Sequence, residues 1–139
     1  MAKPRHRNQT APERLILDSG AVISLSRNEP RARAVLQAAW EVGVEVTMPS
    51  VVVAETVRGR ARDAPVDRAI KAVGEVTPVD ERIGRLAGAL LGATGSGSTI
   101  DAVVVASAID AGGGVILTGD PDDLRALAEG HPEIVVQAL

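Results

Sequence analysis

The sequence predicts a single α/β domain of three layers, α/β/α, with a mainly parallel central sheet. Short apolar runs of strand length recur at residues 15–17, 45–48, 75–79, 115–118 and 134–136. Stretches with helical patterning lie between them, punctuated by glycine and proline. Strands that alternate with helices over the whole chain imply parallel pairing with helices on both faces. The length, 139 residues, suits one domain with a core of its own.

Residues 1–13 are polar and basic with two prolines, and read as a flexible tail preceding a domain at 14–139. The first strand leads into a helix at 19–26. Asn28-Glu29-Pro30 breaks it from a second helix at 30–42, which Gly43 ends. After the second strand, Ser50 is placed to cap a helix that runs through Arg58, with Gly59 at its end. A helix at 65–73 and a short strand at 75–79 follow. Asp80 then caps a helix to about Leu91. The Gly- and Ser-rich stretch 92–98 reads as a loop and lacks the Lys-Ser/Thr ending of a nucleotide-binding P-loop. A nearly all-apolar helix spans 99–111, and a short helix from Asp120-Pro121 ends near Glu129. No internal repeat is visible.

Composition removes several classes of function. Hydrophobic residues make up 45% of the chain but aromatics only 1%, so the core must be aliphatic. Trp40, the single aromatic residue, fits the core or a subunit contact. Recognition modes that stack bases on aromatic rings are therefore poorly supported. Cysteine is absent, which excludes disulfides, thiolate zinc sites and cysteine nucleophiles. His6 and His131 lie near opposite ends, against a His-rich metal site or a Ser-His-Asp triad. Oxygen ligands remain, and they favour Mg²⁺ or Mn²⁺. The start of the chain has no apolar stretch of signal-peptide length, and no run approaches the ~20 residues of a membrane-spanning helix. A soluble, cytoplasmic protein with no membrane association is expected.

Four acids stand against apolar runs. Asp18 ends Leu15-Ile16-Leu17, Glu55 follows Val51-Val52-Val53-Ala54, Asp101 opens Ala102-Val103-Val104-Val105, and Asp120 follows Val115-Ile116-Leu117-Thr118-Gly119. Each has a purely structural reading. Asp18 and Asp120 suit helix N-caps, the latter before a proline at the first helical position. Ser98 and Asp101 have the spacing of a capping box, and Glu55 can face solvent. Taken together they suggest more, because ligands of parallel sheets bind beyond the carboxyl ends of strands. Two of these acids end strands there, a third opens a helix on the same rim, and Glu55 lies about one turn into the helix after the second strand. Two carboxylates ~4 Å apart repel by roughly 4 kcal/mol at an effective dielectric of 20, so a cluster of four calls for a cation. Bound to oxygen ligands, such an ion lowers the pKa of a water and orients it for in-line attack on a phosphodiester, with no histidine base required. The formal charge of −3 is unfavourable for nucleic acid, but two divalent ions would reverse its sign. The cationic side chains are nearly all arginine, the better bidentate partner for phosphate.

At these motifs the sequence resembles PIN-domain proteins, and most closely the VapC-type toxin ribonucleases. The resemblance rests on Leu17-Asp18-Ser19-Gly20-Ala21-Val22-Ile23, on Pro49-Ser50-Val51-Val52-Val53-Ala54-Glu55-Thr56-Val57-Arg58-Gly59, on Thr99-Ile100-Asp101-Ala102 and on Leu117-Thr118-Gly119-Asp120-Pro121-Asp122-Asp123-Leu124. Order and spacing agree over nearly the whole chain after the tail. The resemblance implies a PIN-like fold and Mg²⁺- or Mn²⁺-dependent cleavage of single-stranded RNA, with an antitoxin that blocks the site and a homodimer as the assembly. It makes Asp18, Glu55, Asp101 and Asp120 the catalytic, metal-holding quartet and Asp122 an additional acid. Thr118 and Ser19 correspond to hydroxyl residues that position ligands or substrate. Family members often carry an aromatic residue soon after the fourth acid, where Asp123 and Leu124 stand here.

Arg58, Arg60 and Arg62 are candidates for guiding RNA phosphates, with a solvated charged surface as the alternative. Arg5 and Arg7 add nonspecific attraction or merely solubility. Two rivals remain. One is a non-catalytic domain of the same fold that binds RNA or a partner. The other is a haloacid-dehalogenase-like phosphatase, suggested by Asp18 and by Gly119-Asp120-Pro121-Asp122-Asp123. In that case Gly20 stands where the second acid of the Asp-x-Asp motif belongs, and Lys71 is the one mid-chain lysine.

Overall fold

A computed structural model describes residues 14–95 and 97–139; the basic segment expected at 1–13 lies outside the described residues. Five strands form one sheet in the order β3-β2-β1-β4-β5, and every neighbouring pair is parallel. The strands are β1 (Arg14–Leu17), β2 (Glu45–Pro49), β3 (Glu75–Thr77), β4 (Gly114–Thr118) and β5 (Ile134–Ala138). The helices are α1 (Ser19–Ser26), α2 (Pro30–Glu41), α3 (Ser50–Thr56), α4 (Ala64–Val73), α5 (Glu81–Thr94), α6 (Thr99–Asp110) and α7 (Pro121–Leu127). Helices α1 to α4 pack among themselves as one layer, and α5, α6 and α7 as the other. The three-layer α/β/α architecture read from the sequence is present.

The aliphatic core follows from composition. β1 is buried throughout its apolar run, and α6 buries Ala102 to Ala106 continuously. A helix apolar on every side belongs in the interior, which is why the longest apolar stretch of the chain lies between the sheet and α5. No single helix among the described residues is long and apolar enough to cross a membrane.

Three local expectations are corrected. Ser50 is the first residue of α3 and Pro49 its cap position, without a side-chain capping bond. The helix stops at Thr56 because Val57 turns extended and Asp63 draws in the backbone N–H groups of Arg58 (2.8 Å) and Arg60 (3.0 Å). Arg58 and Arg62 therefore do not share a helix turn, and a short 3-10 helix at Ala61–Asp63 precedes α4. Finally, α5 continues through Gly92 to Thr94, and Gly95 ends it in the left-handed region at φ 69°.

The order of the strands places the site. The chain leaves β1 toward β2 and β3 on one side, while β4 and β5 lie on the other. The carboxyl ends of β1 and β4 thus flank a topological switch point, where open parallel sheets leave a crevice. The first turn of α1 and the loop after β4 touch there: a Cβ on Gly20 would come 3.0 Å from the Gly119 amide nitrogen. A side chain at residue 20 would crowd that backbone, so glycine suits the close approach of the segments carrying Asp18 and Asp120.

Candidate metal centre

Asp18 follows β1 directly and is 6% exposed. Its Oδ1 accepts from the Ala21 amide at 2.9 Å, so it does cap α1. The Thr118 hydroxyl donates to its Oδ2, and the Asp120 amide donates to the Thr118 oxygen at 2.8 Å. One threonine at the end of β4 therefore fixes an acid from β1 and the backbone of the fourth acid together. On α3, the Ser19 hydroxyl donates to Glu55 Oε1 and ties that helix to the first turn of α1.

Asp101 lies in the first turn of α6, where its amide donates to Ser98 Oγ at 3.0 Å. Asp120 occupies the cap position of α7 but makes no capping bond with its side chain. Its carboxylate is free of the structural duty that the sequence also allowed. Carboxylate oxygens of Asp101, Asp120 and Asp123 all lie within 4.8 Å of one another.

Electrostatics joins the two groups. Burial pushes the Asp18 carboxyl above its ordinary pKa; the bonds from Thr118 and Ala21 pull it back, and the Glu55 charge pushes it up again. Burial also raises Asp101. Its hydrogen bond with Ser98 opposes the shift, while the charges of Asp120, Asp123 and Asp18 add to it. Asp120 is raised chiefly by the Asp123 charge, then by desolvation, by its hydrogen bond with Asp123 and by Asp122. Acids that raise one another's pKa form a field that a cation relieves. The donor set is oxygen only and suits Mg²⁺ or Mn²⁺.

A PIN domain family model matches residues 15–130. The chain belongs to the PIN domain family. No curated protein matches it in sequence. Among solved structures its fold is similar to VapBC2 of Rickettsia felis, bound to a promoter DNA fragment, with a TM-score of 0.71, 12% identity and coverage of 91% of this chain and 98% of that one. It is also similar to a Klebsiella pneumoniae toxin–antitoxin complex, with a TM-score of 0.68, 18% identity and coverage of 87% and 95%. DNA-bound VapBC of Salmonella typhimurium gives 0.69, 15%, 90% and 97%. Identities this low speak for the fold. The family match sets the phosphatase rival aside.

The PIN domain brings the sequence candidates together unequally. Asp18 with Thr118 and Ser19 with Glu55 form two hydrogen-bonded pairs, whose acids interact through charge, and Asp101 and Asp120 form an outer group. Asp122 stays outside the close triad: its side chain is 95% exposed and its carboxylate lies 4.0 Å from Arg125. Asp123 stands in its place, because residues two and three positions after Asp120 on a helix project in different directions. The i,i+3 spacing from Asp120 to Asp123 was the available signal. Arg58 is exposed, and its guanidinium donates to the Ala54 and Val57 carbonyls at 2.8 and 3.3 Å, so it closes the end of α3.

Proposed function

We propose that this PIN domain is a metal-dependent endoribonuclease and the toxin of a toxin–antitoxin pair. The observation that carries the reading is the convergence of Asp101, Asp120 and Asp123 within 4.8 Å beside a buried Asp18. Mg²⁺ or Mn²⁺ bound there would supply an activated water and neutralise charge on the cleaved phosphodiester. The chain's own residues set up the rest. Asp101, Asp120 and Asp123 offer the converging oxygens. Thr118 holds Asp18 by one carboxylate oxygen while the Ala21 amide holds the other, so Asp18 has little freedom to reorganise. Ser19 restrains Glu55 in the same way. No histidine takes part.

The similar structures from Klebsiella and Salmonella are a toxin–antitoxin complex and a VapBC, which supports a protein partner for this chain. Away from the acids, a groove of about 310 Å³ is lined by Leu25, Leu36, Trp40, Arg33, Arg68 and Val73. Trp40 is 44% exposed there, so it is not the core residue that the sequence allowed. A homodimer and a cytoplasmic site of action belong to the same proposal.

Incubation of single-stranded RNA with Mn²⁺, Mg²⁺ or chelator tests the reading, with wild type beside Asp101→Asn. Cleavage that needs the metal and vanishes in the variant is expected. Metal binding without cleavage of a broad RNA panel would leave the non-catalytic reading in its place.

A further inference from the structure

The outer edge of β5 has arginines on both its flanks. β5 pairs with β4 through Leu139 N to Thr118 O, and through Gly114 N to Glu133 O. Alternation along a strand then turns the carbonyls of Val136 and Ala138 toward the open edge. Two side chains reach them: Arg31, from the first turn of α2, donates to Ala138 O, and Arg125, from α7, donates to Val136 O, each at 3.4 Å. Arg125 also faces Asp122 at 4.0 Å. Arg31 is exposed and has no acidic partner among the described residues.

The register locates Arg31 relative to the acids. Ala138 pairs with Thr118, the residue that holds Asp18. Two strand spacings of about 4.8 Å separate β5 from β1. The Arg31 guanidinium lies just beyond the outer edge of β5, so a strand held both there and at the acidic rim crosses the carboxyl ends of β5 and β4. An acidic centre repels the polyanion it acts on, so a substrate strand needs a cation beside the centre. Several other arginines are engaged elsewhere: Arg14 with Glu45, Arg82 with Asp110, Arg85 with Glu81, and Arg58 with carbonyls at the end of α3; what sets Arg31 apart is its place at the carboxyl end of β5, in register with Thr118. The 3.4 Å bond of Arg31 to one carbonyl leaves most of its donors available.

We propose that Arg31 binds a backbone phosphate of the RNA and leads the strand into the site over the carboxyl end of β5. The inference rests on the ribonuclease reading and names the path of its substrate. The competing role is edge protection, since charged side chains on an edge strand block pairing with other chains.

Binding of a short labelled single-stranded RNA is measured against salt in an Asp101→Asn background with Mg²⁺, so that turnover does not enter. Arg31→Gln should reduce the steepness of log affinity against log salt by about 0.7, which is about fivefold in affinity per decade of salt. Arg31→Lys should keep the steepness, and Arg85→Gln should leave it unchanged. In the cleaving protein, Arg31→Gln should raise KM several-fold with kcat retained. An unchanged salt slope for Arg31→Gln overturns the proposal even if the wild type cleaves well. Self-association of that variant with an unchanged slope identifies Arg31 as an edge guard and overturns it too. A wild type that binds with the expected slope but cleaves no RNA with either Mg²⁺ or Mn²⁺ refutes the ribonuclease reading and leaves the assignment of Arg31 standing.

Discussion

Asp18 and Asp63 are buried to nearly the same extent, 6% and 7% exposed, yet their carboxyls move in opposite directions. Asp63 is held below its ordinary pKa by the backbone amides of Arg60 and Arg58, and the Arg60 charge assists. Asp18 is raised by burial and by the charge of Glu55, despite the donors from Thr118 and Ala21. Hydrogen bonding of the charged form satisfies one acid completely. The other keeps an unsatisfied negative field after its bonds are made. Burial alone therefore does not mark a functional acid. What separates the two is the desolvation of the Asp18 carboxylate, the largest cause of its rise, to which the Glu55 charge adds, against the amide donors that dominate around Asp63.

Substitution sharpens the contrast. Asp18→Asn should lower metal-dependent cleavage ~100-fold or more while metal-free thermal stability stays level or rises, because one repelling charge is gone. Activity assays paired with melting curves check this, and marked unfolding of the metal-free variant would reduce Asp18 to a cap. Asp123→Asn should weaken Mn²⁺ affinity about tenfold and Asp122→Asn should hardly change it, a difference read by calorimetric titration. Equal losses would dissolve the distinction between the close triad and its exposed neighbour. Asp63→Ala should lower the melting temperature by several degrees, since two amides lose their acceptor, with metal affinity intact. Any loss of metal binding in that variant would make Asp63 part of the centre.

Much of this was legible in the sequence. The alternation of apolar runs and helices implies the parallel sheet, and the carboxyl-end rule gathers Asp18, Asp101 and Asp120 onto one rim. What escaped depended on side-chain direction or on distant partners. Asp122 and Asp123 are adjacent in the chain, and only the helical phase set by Pro121 decides which one turns toward Asp120. Nothing around Ser50 announces that α3 will stop at Thr56; the cause is Asp63, seven residues further on. Trp40, the largest apolar side chain, was a natural core residue, but α6 and the strands fill the interior with smaller aliphatics and leave it at a groove. The carbonyls of β5 became visible only once strand order made β5 an edge.

The smallest effect, and the one that compares the two acids in a single titration, is the pH dependence of metal-free stability. A carboxyl whose folded pKa is raised binds its proton more tightly in the native state. As pH rises from the unfolded value of 3.8 through the raised folded value, that native state loses its advantage. Asp18, Asp101 and Asp120 should all act in this sense. Asp63 should act oppositely, adding stability above 3.8 that disappears as pH falls through its lowered folded value. Acidification from neutrality should therefore first stabilise the metal-free protein slightly and then destabilise it. Asp18→Asn should shrink the rise and spare the fall, whereas Asp63→Ala should do the reverse. Saturating Mn²⁺ should remove the rise by holding the clustered acids ionised at neutral pH, and the stabilisation it confers should fade as protons displace it. Melting temperatures collected across this range, with and without the ion, decide the matter: a rise that survives Asp18→Asn undiminished would separate Asp18 from the cluster electrostatically.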